Sequence, residues 1–286
     1  MAAENNLIMK ADVARVREID FNYQFVGSLR KLMEMLGVTR KIAVQEGTAL
    51  KALKVTGTLE SGNVAEGELI PLSHYQTEEV TVGEAQLQKW RKGTSAEAIL
   101  KGGYDQAVGE TTDKAVKDIQ KTIRTGFLNF IKTGTGKASG VGLQAALANG
   151  WGQLQVLWED DAVETVYFVN PLDVSAYLGT AQVTMQTAFG LNYIENFIGL
   201  GTVILSSGVP QGTYYATAKE NIIMYYISMG GDLGRAFKLT ADQTGYIGIH
   251  EYLDEDHANV MDLIMHGVTF FPERLDGIVV GTISAS

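Results

Sequence analysis

The chain has 286 residues, 45% of them hydrophobic, so it can bury a sizeable core as one large domain or two modest ones. It contains no cysteine, which excludes disulfides and thiolate metal sites and suits a reducing compartment. The net charge of −10 is uneven: residues 1–137 hold 19 Lys and Arg against 17 Asp and Glu, and residues 138–286 hold 4 against 16. The acidic half argues against close wrapping of nucleic acid. The division indicates either two differently composed solvated surfaces or an oriented shell.

The first residues lack a basic region followed by an apolar run, so we expect no signal peptide. Residues 11–36 predict a helix, because apolar residues recur at three- and four-residue steps and Gly37 can end it. Asn22-Tyr23 is a candidate break within it. The apolar stripe, which includes Phe25 and Leu29, predicts either core packing or docking on a neighbouring subunit.

Residues 44–92 predict an extended β-hairpin, because short β-branched runs alternate with glycines and Pro71. The second half of this region includes a predicted strand over residues 78–90. The runs are only thinly apolar, and a two-stranded ribbon of this kind is marginally stable alone in water. The composition therefore favours a hairpin that another chain covers.

Residues 104–132 predict a helix about 43 Å long, from a broad apolar stripe and a rise of about 1.5 Å per residue. The Gly-Thr-Gly-Lys that follows at 134–137 resembles part of a phosphate-binding loop. However, Ile131 stands where the first glycine belongs, Ala138 follows Lys137, and a helix precedes the loop instead of a strand. We therefore predict a flexible joint and no phosphate site.

The second half of the chain predicts alternating strands and helices. A strand at 162–169 leads to Asn170 as a helix cap and Pro171 at the first helical position. The uncharged stretch 196–218 is interrupted by glycines and Pro210, which predicts a strand, a turn and a strand instead of a membrane helix. Further strands are predicted at 221–228, 245–253, 258–271 and 276–284.

Catalytic and metal-binding patterns are weak. His250, His257 and His266 lie near acidic residues but match no ligand spacing, so an exposed acidic turn at 254–257 is the preferred interpretation. Neighbouring carboxylates such as Glu78 and Glu79 point to opposite faces of a strand. We predict no enzyme activity, no metal and no cofactor.

The order of several motifs indicates a family. They are Val-Ala-Glu-Gly at 64–67, Ile70-Pro71, the strand 78–90, the polar helix entry 94–100, the glycine-rich loop after the long helix, Asn170-Pro171 and the strand–turn–strand at 205–222. Together they resemble the major capsid proteins of tailed double-stranded DNA bacteriophages, which have the Hong Kong 97-like fold. The loop lacks the family's usual Asn-Gly pair.

The resemblance implies an α+β fold with four parts. These are an N-terminal arm (1–44), an extended hairpin loop (45–95), a peripheral domain with a long spine helix (96–142 and 232–286, the helix at about 104–132) and an axial domain (143–231). It implies that Glu66, Gly67 and Pro71 shape the hairpin return and contact neighbours. Lys51, Lys54, Phe25 and Leu29 are the other expected assembly contacts. The family's lysine–asparagine crosslink does not transfer, since no matching asparagine or glutamate context is present.

The resemblance also implies function. Copies would form pentamers and hexamers of a virion shell, assembled in the host bacterial cytoplasm with a scaffolding protein and a portal. The shell would enclose double-stranded DNA without sequence specificity, and no membrane would be involved. One alternative is an encapsulin shell around a cargo enzyme. An α/β enzyme acting on polysaccharides or nucleotides would require a convergent polar site, which the sequence does not show.

Overall fold

A computed structural model describes residues 10–158, 163–179, 184–188 and 191–284. The α-helices within these ranges are α1 (Lys10–Leu36), α2 (Ala96–Gly102), α3 (Thr111–Ile131), α4 (Gly142–Leu157), α5 (Pro171–Leu178) and α6 (Gly231–Ala236), with a π-helix at Asp105–Glu110 and 3-10 turns at Phe197–Gly199 and Lys219–Asn221. Among the described residues, no helix is both long and apolar enough to span a membrane.

The strands of the described chain form four sheets. They are β1 (Arg40–Ala43), β2 (Ala49–Thr58), β3 (His74–Glu84), β4 (Gln88–Ser95), β5 (Gly136–Val141), β6 (Thr165–Val169), β7 (Gln186–Ala188), β8 (Leu191–Ile194), β9 (Thr202–Leu205), β10 (Thr213–Ala218), β11 (Ile222–Tyr226), β12 (Thr240–Ala241), β13 (Ile247–Asp254), β14 (Asn259–His266), β15 (Thr269–Pro272) and β16 (Ile278–Ser284). The sheet orders are β5-β16-β10-β6-β9-β8-β7, β12-β13-β14-β4, β1-β11-β15 and β2-β3.

The seven-stranded sheet has a separate core on each face. Alternate side chains of β6 point to opposite faces, so Tyr167 and Val169 join a cluster with α4 and α5, and Val166 and Phe168 join a cluster with α1 and α3. Phe127 of α3 meets Phe168 edge to face, with 5.4 Å between the ring centroids. β6 is buried along its whole length for this reason.

The sheet takes strands from both sides of the predicted domain boundaries. β5 and β16, which the sequence assigned to the peripheral domain, belong to the same sheet as β6 and β10 of the predicted axial domain. The division at residues 142 and 232 stays a prediction.

Helix α1 is continuous, so the expected break at Asn22-Tyr23 is wrong. The Asn22 side chain is buried and donates to the Thr240 carbonyl at 2.5 Å, so it does not compete for its own helix backbone. The expected stop at Gly37 is confirmed: this residue has φ 64°, and Val38 donates back to the Met33 carbonyl at 2.9 Å.

The helix predicted at 104–132 is present, but its first turns are π-helical. The Val108 carbonyl at this point accepts from the Thr112 hydroxyl at 2.6 Å and from the Lys92 ammonium at 3.1 Å. Side chains thus add to the backbone bonding at the irregular start of this helix. Lys92 also pairs with the buried Asp262 at 2.9 Å, which links β4, β14 and the start of the long helix.

The flexible joint predicted after this helix is wrong, because residues 136–141 form β5, parallel to β16. The glycines of the segment 134–140 allow its backbone to pack closely on neighbouring elements. A Cβ on Gly134 would lie 2.5 Å from Ile278, and one on Gly140 would lie 2.4 Å from the backbone of Ala146. The strand predicted at 78–90 is also corrected: it is two strands, β3 and β4, separated where Ala85 enters the core.

Other local predictions are confirmed. The Asn170 side chain caps α5 by accepting from the Leu172 amide at 3.0 Å, and Pro171 begins the helix. The uncharged stretch 196–218 contains β9, a turn and β10. Helix α4 was not predicted, although its buried positions at Leu143, Ala146, Leu147, Gly150 and Leu154 follow helical spacing.

We expect His266 to make the stability of the fold depend on pH. Its ring is buried between Trp90 and Phe25, and desolvation lowers its pKa from 6.5 to about 3. The unfolded chain therefore binds a proton that the folded chain rejects, and the stabilising contribution is lost as pH falls below 6.5. Between pH 7 and pH 5 this loss should be about 2 kcal/mol.

The variant His266→Asn keeps an acceptor for the Val268 amide, which donates to His266 Nδ1 at 3.2 Å, and cannot titrate in this range. Urea unfolding of the unassembled protein at both pH values should show that the wild type loses about 2 kcal/mol more than the variant. Equal losses would contradict the assignment.

The Lys92–Asp262 pair gives a second expectation. Asp262 is 1% exposed, so Lys92→Met leaves a buried carboxylate without its cation and should reduce the free energy of unfolding by about 3 kcal/mol or more. The matched control is Lys114→Met, which removes an exposed ion pair with Asp118 and should cost about 0.5 kcal/mol or less. Similar losses for the two variants in urea titrations would disprove the difference.

Candidate assembly surfaces

The hairpin is anchored at its base. Leu50 and Ala85 are each 1% exposed and share a buried cluster with Ile227, Met229 and Met265. Backbone bonds close the base, since Gly47 donates to the Ala85 carbonyl and Ala85 donates to the Thr48 carbonyl, both at 2.9 Å. A register shift between Leu50 and Lys51 marks the point where the ribbon leaves the body.

Beyond this base the ribbon lies in solvent. Among the described strands, β2 and β3 pair only with each other, and ten residues of strand span about 33 Å. From residue 56 to residue 81, every side chain is exposed except Val64, which is half-buried. The described part of the chain therefore provides no cover for the outer ribbon.

The hairpin tip, residues 59–73, combines an acidic turn with an apolar strip. Glu68 donates its amide to the Ala65 carbonyl at 3.1 Å, and Gly67 has φ 86°, a conformation that favours glycine. Leu69 and Leu72 are 94% and 93% exposed, and Ile70 is 73% exposed. Three such neighbouring apolar side chains in water indicate a contact surface for another molecule.

The ribbon is also acidic. Residues 55–88 contain six glutamates and no lysine or arginine. Glu79 is neutralised within the ribbon, because Lys51 pairs with it at 2.5 Å. Glu60 and Glu66 have exposed side chains, and Glu68 turns one oxygen towards the Ala65 amide at 3.4 Å.

The structure brings some of the predicted contact residues to the ribbon. Glu66, Gly67 and Pro71 lie at the exposed tip, and Lys51 lies near the base in its ion pair. Lys54 lies in β2 opposite Glu78, and its side chain is outside the part of the structure that is described. Whether these residues contact another copy stays a proposal.

Phe25 and Leu29 have a different position. Both side chains are 0% exposed and belong to the core that α1 shares with α3 and the sheets. In this conformation they cannot touch another copy, so the packing alternative describes them. The opposite face of α1 exposes Val16, Ile19 and Tyr23 instead.

A polar cluster holds the first half of α1 on the body. Arg17 donates to the Tyr104 hydroxyl at 2.8 Å and pairs with Glu251 at 2.9 Å, and Tyr104 donates to Glu251 at 2.7 Å. Burial, together with the Glu251 carboxylate, raises the pKa of Tyr104 to about 12. Glu18 is buried nearby and accepts from the Glu251 amide at 2.6 Å.

Sequence reasoning missed a second exposed apolar region, on α4 and α5. Trp151, Val156 and Leu172 are exposed on α4 and α5, the helices that pack on one face of the seven-stranded sheet, and Val141 is exposed just before α4. The sequence of α4 could have indicated this region, because the helix is apolar around most of its circumference. Such a helix is usually covered on more than one side, so its exposed apolar side chains are unusual.

Clustered metal ligands are not found in the described ranges: no three His, Asp or Glu side chains lie close enough together to hold an ion. His257 is paired with Asp254 at 3.0 Å, and His250 lies 3.7 Å from Glu18. His266 is enclosed by aromatic rings.

No protein-family model and no curated protein matches the sequence. Solved structures match most of the chain. The capsid of a native GTA particle is 11% identical, with 90% of both chains covered and a TM-score of 0.55. The virus-like particle from Pyrococcus furiosus is 14% identical, with 92% of this chain and 98% of that chain covered and a TM-score of 0.52. The mature capsid of bacteriophage PhiM1 is 9% identical, with 85% of both covered and a TM-score of 0.52.

These identities are low, so the similarity concerns the fold. The fold prediction is confirmed. The chain has the α+β, Hong Kong 97-like fold.

Proposed function

We propose that this chain is the major capsid protein of a tailed bacteriophage, whose copies assemble into an icosahedral shell around double-stranded DNA. The observation that carries the proposal is the ribbon, which leaves the body for about 33 Å and ends in an exposed apolar strip at Leu69, Ile70 and Leu72. The fold shared with capsid structures supports it.

The physical reason is that the ribbon lacks a core of its own. A lone two-stranded sheet is marginally stable in water, and an uncovered apolar strip favours association. Contacts between identical copies would cover both. Closed symmetry then leaves no unpaired interface, which distinguishes a shell from an open fibre.

The proposal also covers the oligomers that the copies form, the partner proteins and the location of assembly. Copies would group as pentamers and hexamers, with a scaffolding protein and a portal as further partners, during assembly in the bacterial cytoplasm. The finished shell would form part of the virion. Contacts with the packaged DNA would be independent of sequence, and the protein would have no enzymatic role and no cofactor.

An encapsulin-type shell around a cargo enzyme is the second candidate. The virus-like particle from Pyrococcus furiosus, with a TM-score of 0.52, favours keeping it only in that this particle is described as coming from a cellular organism and not from a phage. Neighbouring genes distinguish the two: portal and terminase genes support the phage capsid, and a cargo-enzyme gene supports the encapsulin.

Shortening the ribbon tests the shell function. Replacing residues 57–75 by Asn-Gly joins Thr56 to Gln76, which are directly paired, through a turn suited to antiparallel strands. The fold should survive, with a change in unfolding free energy of about 0.5 kcal/mol or less, because the removed side chains are almost all exposed. Electron microscopy should show shells for the wild type and none for the shortened variant.

The matched control is Ser61→Ala with Asn63→Ala, which changes the tip but keeps its acidic turn and apolar strip; it should form shells like the wild type. Closed shells from the shortened variant would show that the ribbon is dispensable. A wild type that stays monomeric at every concentration would overturn the shell function itself.

A further inference from the structure

A groove at the carboxyl ends of two parallel strands is not explained by the shell function. β6 and β9 are parallel neighbours in the seven-stranded sheet, and the chain leaves them at Val169 and Leu205. In open sheets with helices on both faces, crevices outside the carboxyl ends of parallel strands are common ligand sites. This end of the sheet is therefore a candidate for binding a small molecule or ion.

The groove at this end is basic. This basic groove, of about 410 Å³, lies between α3 and the residues that follow β6 and β9. Its polar lining includes Lys121 and Arg124 of α3, Asn192 of β8 and the serine turn Ser206-Ser207. Two cations line it and no Asp or Glu does, although the chain as a whole carries a net charge of −10. A local excess of positive charge on an acidic protein favours an anionic ligand.

The two cations have different surroundings. Lys121 is exposed, and its ammonium group has no hydrogen bond or ion pair among the described residues. Arg124 is half-buried beside Phe127 and Phe168, and desolvation lowers its pKa. A half-buried guanidinium attracts an anion more strongly than an exposed one, because less water screens the two charges. Its planar fork of N–H donors also matches the spacing of phosphate oxygens.

The serine turn adds uncharged donors to the groove. The Ser206 amide donates to the Val169 carbonyl at 2.9 Å, which fixes the turn at the ends of both strands. A Cβ on Gly208 would lie 3.0 Å from Leu128, so the turn packs closely against the helix that carries the cations. Ser207 is exposed, and neither its amide nor its hydroxyl has a partner in the described part of the chain.

We propose that the basic groove binds a phosphate group. The Arg124 guanidinium and the Lys121 ammonium would contact its oxygens from α3, and the Ser207 amide and hydroxyl would donate to it from the serine turn. A phosphate group presents three strong acceptor oxygens to these donors, whereas a carboxylate presents two. The proposal goes beyond the shell function and rests on it only where packaged DNA is the source of the phosphate.

The phosphate has two sources, a DNA backbone or a free phosphate-bearing ion, and they differ in what they touch outside the groove. Lys117 lies one turn before Lys121 on the same face of α3 and has no hydrogen bond or ion pair within the described ranges. The row from Lys117 to Arg124 spans about 10 Å, so an extended backbone in the groove would reach Lys117 with a further phosphate. A free ion such as pyrophosphate would be held by the groove alone.

Binding of pyrophosphate to the full chain tests the site. Equilibrium dialysis with radiolabelled pyrophosphate should detect binding to the wild type. Lys121→Gln with Arg124→Gln should weaken this binding about tenfold or more, because two charge-assisted contacts are lost. The matched control, Lys114→Gln with Lys132→Gln, removes the same charge from α3 and its C-terminal end outside the groove, so its affinity should stay within about twofold of the wild type.

A second variant leaves the half-buried arginine intact, in case its replacement prevents folding. Ser207→Asp places a carboxylate in the exposed serine turn and should also weaken pyrophosphate binding about tenfold or more. Circular dichroism establishes that each variant is folded. Equal weakening by the control pair would overturn the proposal, because the effect would then be one of overall charge.

A short DNA duplex, used with nuclease-treated protein, distinguishes the two sources. If the backbone is the source, Lys121→Gln with Arg124→Gln should lower the slope of log affinity against log salt by about two. Lys117→Gln should lower it by about one and leave pyrophosphate binding unchanged. Duplex binding that is the same in wild type and groove variants, together with weakened pyrophosphate binding, would identify a free ion as the source.

Electron microscopy of the same proteins separates this site from the shell function. If neither probe depends on Lys121 and Arg124, the phosphate site is overturned and the shell function is not. Groove variants that bind both probes like the wild type but form no shells would make the groove a contact between copies, which also overturns the phosphate site. A wild type that binds pyrophosphate in the groove but never forms shells would overturn the shell function alone.

Discussion

A ribbon held only at its base is the constraint on which the rest of the structure depends. Leu50 and Ala85 insert into the body, and beyond them β2 and β3 pair only with each other among the strands that the structure describes. Backbone bonds between two strands do not offset the entropy of ordering such a ribbon in water. The missing stabilisation has to come from outside the described residues, and this requirement is the physical ground for the proposed assembly.

Sequence patterns were reliable where one local signal decided the structure. Glycine and β-branched runs predicted the hairpin, the apolar stripe predicted α1, and Asn170-Pro171 predicted the start of α5. Sequence patterns wrongly predicted a flexible joint around Gly134 and Gly140, because glycine occurs both in flexible joints and where backbones pack closely. Only the positions of Ile278 and Ala146 show that packing is the reason here.

The contact surfaces were predicted less completely than the fold. Periodicity shows that Phe25 and Leu29 lie on one face of α1, but the element that covers this face is distant in sequence. The tip residues Glu66, Gly67 and Pro71 came from a motif, whereas the exposure of Leu69 and Leu72 required coordinates.

The buried cluster at the base of the hairpin is rich in methionine, and this composition affects how rigidly the ribbon is held. Two of its residues, Met229 and Met265, have long unbranched side chains that can change rotamer while staying buried. A change of rotamer in these two side chains would let the ribbon tilt at its base by small angles without opening a cavity. In the proposed shell, copies in pentamers and in hexamers would meet their neighbours at different angles, and an adjustable joint at the base of the hairpin would let one polypeptide serve in both.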